Sequence, residues 1–209
     1  MLGTMLDSHP AIRCFSEVFH PVTGEFSHAQ LPASEAGPFL EQLLTTDTHA
    51  AVGFKLPWDS LLTTPEAWPV IRNGHFRLIR LRRRNLLDQY LSLQLSLLNG
   101  VWHSYDGRYQ RQRLRIDVAD CRAHLQHFTM GNMMLDEMSR GFARTEVTYE
   151  DLVQGRGLNE IFTLLGVDPH PLTAGVERLR TASQREIIEN YDELQDVFTN
   201  TPWLEYFED

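Results

Sequence analysis

Three consecutive guanidiniums, Arg82-Arg83-Arg84, stand immediately before Asn85 and Asp88 in the segment HFRLIRLRRRNLLDQYLSLQLSL, which runs from His75 to Leu97. Residues Phe76 to Leu81 alternate and are apolar or β-prone. Leu86, Leu87, Tyr90, Leu91, Gln94, Leu95 and Leu98 recur with the spacing of an amphipathic helix. The arginines therefore fall where a strand ends and a helix opens. Fixed positive charge beside the first N–H groups of a helix suits a phosphate. Ser92, two turns into the helix, would bring its hydroxyl to the same anion if the helix packs back along the strand. The plainer reading is a set of solvated or carboxylate-paired arginines.

The elements that would position such a site alternate along the chain. Met1 to Leu6 reads as a helix and Ala11 to Phe15 as a short strand. Pro38 to Leu44 reads as a helix within a Pro- and Gly-containing excursion, Val22 to Thr48, of the kind that covers a site or contacts substrate. Ala50 to Trp58 is a strand candidate and Thr64 to Ile71 a short helix with Pro65 at its start. After the arginine segment, Gly100 to Ile116 is polar and reads as a surface segment or lid, its Arg108, Arg111, Arg113 and Arg115 a solvated face. Asp117 to Phe142 is helical, with Cys121, Leu125, Phe128, Met134, Leu135 and Met138 at core intervals. Thr145 to Tyr149 is a strand and Gly157 to Leu165 a helix stopped by Gly166; the tail, Ser183 to Phe207, holds EIIENYDEL and then TPW. The expected fold class is α/β, with a central parallel sheet covered by helices on both faces. Ligands in such sheets bind beyond the carboxyl ends of the strands. Glu17, Lys55, Arg82 to Arg84 and Tyr149 each end or follow a strand and are expected on that rim.

Composition narrows the function classes. At 209 residues and 42% apolar, the chain can bury one sizeable core and is expected to be a single domain, 1–209. A net charge of −9 argues against a general nucleic-acid or anionic-membrane binder. No run of about 18 apolar residues is present and the N-terminus has no basic-then-apolar signal, so no membrane span and a cytoplasmic location are expected. Cys14 and Cys121 have no metal-ligand or redox spacing, and a reducing compartment follows. The nine histidines are scattered without pairing at helical spacing, so no metal is expected; His9, in the step that ends the first helix, reads as structural. There is no G-x-x-x-x-G-K-[ST] loop, which leaves an ATP-dependent kinase without direct support.

The spacing R-N-x-x-D-x-x-x-S after an apolar strand, carried by Arg84, Asn85, Asp88 and Ser92, resembles the segment with which sulfotransferases hold the 3′-phosphate of 3′-phosphoadenosine-5′-phosphosulfate (PAPS). The LRRRN form is most similar to bacterial relatives of the nodulation-factor type. Three further patches, in the family's order, resemble it too: GTMLDSHPAIRCFSEVF near the start, VTYEDLV followed by IFTLLGVD, and EIIENYDEL followed by TPW, which resembles the family's closing helix. The resemblance implies a P-loop-kinase-like sulfotransferase fold. It implies Glu17 as the base that takes the acceptor's proton and Lys55, in Gly53-Phe54-Lys55-Leu56-Pro57, as the cation near the bridging oxygen. It also implies Arg84 and Ser92 on the 3′-phosphate and Tyr149 near the adenine; relatives with L-R-R-x-N assign the arginine's role to Arg83. Taken alone, Glu17 is a surface or salt-bridge carboxylate, Lys55 a snorkelling sheet-edge lysine and Tyr149 a core tyrosine.

One family element has no counterpart. The loop that surrounds the 5′-phosphosulfate, commonly R-S-G-[ST], and the central strand before it would precede Met1, so the domain is expected to be truncated at its N-terminus or to be a degenerate relative. The expected activity is sulfuryl transfer from PAPS to a hydroxyl of a carbohydrate, lipid or small metabolite, with no nucleic-acid partner. A non-catalytic relative, binding nucleotide or serving as an assembly subunit, is the alternative, and a nucleotide-kinase relative comes third.

Overall fold

A computed structural model describes residues 1–20, 24–45, 47–100, 112–173 and 182–207. The elements are α1 (Leu2–Asp7), β1 (Ile12–Glu17), α2 (Glu25–His28), α3 (Ala36–Thr45), β2 (Ala51–Lys55), α4 (Ser60–Thr63), α5 (Ala67–Asn73) and β3 (Arg77–Arg82). There follow α6 (Leu86–Asn99), α7 (Val118–Met138), β4 (Ala143–Thr148), α8 (Tyr149–Val153), α9 (Leu158–Leu165), α10 (Gln184–Ile187) and α11 (Tyr191–Phe198). Short 3-10 turns occupy Ala33–Glu35 and Pro202–Tyr206. Among the described residues no helix is long and apolar enough to cross a membrane. Two compact units result: Met1–Arg82 with Met134–Gly175, and Arg83–Met133 with Val176–Asp209.

The first unit is α/β. Its strands form two parallel pairs, β1 with β2 and β3 with β4, rather than the single sheet expected. The alternation of helix and strand specifies parallel crossovers, and two separate crossovers satisfy it as well as one continuous sheet does. Both pairs contribute to one apolar cluster, and a second joins residues of β1 and β2 to residues that flank β3 and β4. Ile12 and Cys14 of β1, Ala51 of β2, Ile79 of β3 and Val147 of β4 pack with Leu2 and Leu6 of α1 and Ile161 of α9. Phe15 and Phe54 join Leu40 of α3, Ala67 and Ile71 of α5, and the flanking Phe76 and Phe142. The period-2 alternation of β1 is what sends Ile12 and Cys14 to one cluster and Phe15 to the other.

Local signals explain the ends of these elements. Leu2, Met5 and Leu6 form the buried stripe of α1, which stops before His9-Pro10. The buried His9 imidazole accepts the Ala11 N–H at Nδ1 (3.0 Å) and donates from Nε2 to the Asp168 carbonyl (2.9 Å). Those two bonds fix the ring in place and make His9 structural. Gly157 opens α9 at φ 83°, and a Cβ there would meet Val147 Cγ1 at 2.9 Å, so the left-handed conformation and the close approach both call for glycine. Of the Val22 to Thr48 excursion, residues 22, 23 and 46 lie outside the described residues; α3 within it buries Ala36 and Leu40.

The second unit is helical. Leu86, Leu87, Tyr90, Leu91 and Leu95 of α6 pack with Cys121 and Leu125 of α7 and with Ile187, Ile188, Tyr191, Leu194, Phe198 and Phe207 of the tail. The tail is not the single closing helix expected: α10, α11 and a 3-10 turn replace it. The break has a tertiary cause, because Ile188 forms a parallel bridge with Leu114 and buried Asn190 clamps Ile116. Asn190 Oδ1 accepts the Ile116 N–H (2.9 Å) and its Nδ2 donates to the Ile116 carbonyl (3.0 Å). Residues 101–111 of the expected lid, with Arg108 and Arg111, lie outside the described residues. Of its last residues Arg113 and Arg115 are exposed, as expected, and Ile116 alone is buried; Arg113 donates to the Ile188 carbonyl and Arg115 pairs with Glu193.

Candidate functional site

Glu17 and Lys55 end the neighbouring parallel strands β1 and β2 and are ion-paired with one another. Ladder geometry explains why. The register is regular from Ile12 opposite Ala51 to Phe15 opposite Phe54, then shifts so that Glu17, not Ser16, stands opposite Lys55. The extra residue, exposed Ser16, is the irregularity that turns the carboxylate toward the ammonium. Lys55 keeps 55% of its side chain exposed and Glu17 26%, so water and an acceptor can reach the pair, and its value to stability is small. A proton acceptor and a cation thus lie side by side at two strand ends.

The three arginines expected as one anion cluster have different partners. Arg82, the last residue of β3, pairs through Nη2 with Glu146 (2.9 Å) and through Nη1 with Asp136 (3.7 Å). Arg80, two residues earlier and 7% exposed, reaches the same two carboxylates at 3.3 and 2.6 Å. The close Arg80 contact, with the charges of Arg80, Arg82 and Arg144 behind it, holds the Asp136 carboxyl below its ordinary range. Arg82 therefore belongs to a four-residue ion network within the first unit.

Arg83 and Ser92 are brought together. Arg83 Nη1 donates to Ser92 Oγ (2.9 Å), and Ser92 Oγ donates to the Asp88 carbonyl one turn back (2.9 Å). Arg83 Nη2 lies 3.8 Å from Asp88 Oδ2, and the side chains of both residues are about nine-tenths buried. Arg84 is exposed. Asn85 is the N-cap of α6, its Oδ1 accepting the Asp88 N–H (2.9 Å), so one first-turn N–H is already satisfied within the chain. This helix start thus carries Arg83, Arg84 and Ser92 as donors, with Asp88 paired to Arg83. That donor set suits a dianionic phosphate.

Tyr149 is the first residue of α8 rather than the last of β4, and it is half-buried. Thr148 caps that helix by accepting the Asp151 N–H (3.1 Å). Tyr149 thus lies at the carboxyl end of its strand, as expected. A shallow depression of about 430 Å³ lined by Arg144, Thr145, Asn159, Glu160, Thr163 and Leu164 opens at the other end of β4 and holds none of the expected site residues. Among the described residues no group of three or more His, Cys, Asp or Glu is arranged to hold a metal ion. Burial, then the Asp7 charge, raises the Cys14 thiol to about 11; burial, then Asp120, raises Cys121 to about 12.

Two groups of polar residues gave no sequence signal: Asp136 and Glu146, which engage Arg80 and Arg82, and Gln184, which donates to Asp88 Oδ1 (2.9 Å). Strand alternation could have placed Arg80 beside Arg82; nothing local marks Gln184. Comparison with known proteins finds no matching family model, no matching curated protein and no matching solved structure.

Proposed function

We propose that this chain is a PAPS-dependent sulfotransferase acting on a hydroxyl of a carbohydrate, lipid or small metabolite. The observation that carries the reading is the start of α6, where Arg83 meets Ser92 and exposed Arg84 adjoins them. There the guanidiniums and the hydroxyl would hold the 3′-phosphate. PAPS supplies an activated sulfuryl group. Glu17 takes the acceptor's hydroxyl proton as sulfur passes to the acceptor oxygen, and Lys55 offsets the charge left on the bridging phosphate oxygen. Tyr149 flanks the adenine.

The fold that goes with this reading is the P-loop-kinase-like one, with its parallel pairs as flanks of one central sheet. Two features support it: residues of both pairs pack into one apolar cluster, and Ala51 to Phe54, Leu78 and Ile79 are only half-buried. Parallel strands are normally buried on both faces, as these would be with a further strand between the pairs.

Thermal unfolding with 3′,5′-adenosine bisphosphate, the desulfated product, tests the reading. Ligand at about 100 times its dissociation constant should add about 2.7 kcal/mol. An unchanged transition rejects the nucleotide site. Binding without transfer to any hydroxyl acceptor would assign the chain to the non-catalytic alternative.

A further inference from the structure

We infer that Gln184 and Asp88 are positioning residues that fix the anion-binding hydroxyl of Ser92 by acting through Arg83. The inference rests on the proposed 3′-phosphate site and extends it to Gln184, which has no place in the sequence motif, while giving the motif's Asp88 a task.

The chain of contacts is continuous and lies within one unit. The Gln184 side chain is 1% exposed, and its amide hydrogens go to Asp88 Oδ1 (2.9 Å) and to the Tyr206 carbonyl (2.8 Å). The same carbonyl accepts Asn85 Nδ2 (2.9 Å), and Asn85 Oδ1 accepts the Asp88 N–H (2.9 Å). Asp88 is therefore held at its backbone and at one carboxylate oxygen, which prevents its rotation. Its other oxygen faces Arg83 Nη2 at 3.8 Å, and Arg83 in turn presents Nη1 to Ser92 Oγ.

This arrangement has a chemical consequence at Ser92. A serine hydroxyl has one proton, and here it goes to the Asp88 carbonyl (2.9 Å). An arriving phosphate captures that proton by rotating the hydroxyl, while the guanidinium continues to donate into the oxygen. Donation into a hydroxyl polarises it and makes it the stronger donor. Arg83 thereby assists Ser92 while its charge stays balanced by Asp88. A buried cap whose task was stability alone would not need the guanidinium aimed at the serine.

The test is a double-mutant cycle on the full chain, read by calorimetric titration with 3′,5′-adenosine bisphosphate. Ser92→Ala should weaken binding about tenfold, the scale of one hydrogen bond to a charged group. Arg83→Lys keeps a positive charge against Asp88 but loses the two-armed fork, and Gln184→Met removes the amide at similar volume. Each should weaken binding several-fold in the parent and clearly less when Ser92 is already alanine, where Gln184→Met should have no further effect and Arg83→Lys should keep only the loss of its own contact with the phosphate. That non-additivity is a readout a purely structural role would not produce. Effects that simply add to Ser92→Ala overturn the inference and leave the site standing. Failure of the parent protein to bind the bisphosphate overturns both. Arg83→Lys alone decides the matter if Gln184→Met does not fold.

Discussion

The division of the three arginines predicts that neighbouring alanine substitutions will have opposite signatures. Arg82 is 30% exposed and shares its two carboxylates with Arg80, which remains in place when Arg82 is removed. Arg82→Ala should therefore cost stability of about 0.5–1 kcal/mol, as for a partly exposed ion pair in a network. In a chain of this length that lowers Tm by about 1–4 °C. Affinity for 3′,5′-adenosine bisphosphate should not change. Arg84 is exposed, and Arg84→Ala should leave the ligand-free Tm within the equivalent of about 0.5 kcal/mol. Its affinity loss should be about 1.5–3 kcal/mol, the value of a hydrogen bond to a charged group. At a ligand concentration that adds about 2.7 kcal/mol to the parent, a tenfold weaker site adds about 1.4 kcal/mol. Thermal scans with and without ligand read both quantities in one experiment. An Arg84→Ala protein with parental ligand stabilisation, or an Arg82→Ala protein that loses it, would refute the assignment.

Glu17→Gln should abolish most sulfuryl transfer from PAPS to hydroxyl acceptors while nucleotide affinity holds; undiminished turnover removes Glu17 as the base. Asn190→Ala leaves the Ile116 N–H and carbonyl buried without their partner, at about 1–3 kcal/mol for each group, so a chemical-denaturation loss below about 0.5 kcal/mol would contradict the clamp. With the Cys14 thiol at about 11 and the Cys121 thiol at about 12, only about one thiol in a thousand or fewer is thiolate at pH 8, so both should resist a thiol reagent until the chain is unfolded; rapid labelling of the native protein would count against this. Asp136 titrates below its ordinary value, so its contribution is complete above about pH 4 and is lost as pH falls from there through the depressed value. A Tm–pH series should show a shallower acid limb in Asp136→Asn, and an unaltered limb would mean that the network does not set acid sensitivity.

What was legible in the sequence was what local chemistry decides. The stripe of α1, the start of α6 at Asn85 and the end of α9 at Gly166 follow from periodicity and caps, and the structure has them within a residue or two. The placement of Glu17 and Lys55 at strand ends was equally legible; their mutual pairing was not, because it depends on a register shift at Ser16. The tail shows the limit most clearly. Its residues from Glu186 to Leu194 resemble the sulfotransferase family's one closing helix, yet the backbone leaves the helix at Ile188 to bridge Leu114, and Asn190 turns inward to Ile116. Partners more than seventy positions away overrode a local preference.

The arginine run shows how a period carries through to a charge count. In β3, Arg80 and Arg82 stand two residues apart and so share a face, while Leu81 between them points the other way and is 41% exposed. The parallel ladder sets Arg80 directly opposite Glu146, and Arg82, two pairs further on, reaches the same carboxylate. The positive charge of Arg82 is thus assigned to the sheet by the pleat. Where the pleat ends, so does that assignment, and Arg83 and Arg84 take their directions from the start of α6. Asp88 in the first turn of that helix, favourable to the helix dipole, offsets one of the two. On the proposed reading, specificity for a phosphate comes from the directed donors of Arg83, Arg84 and Ser92 more than from accumulated charge.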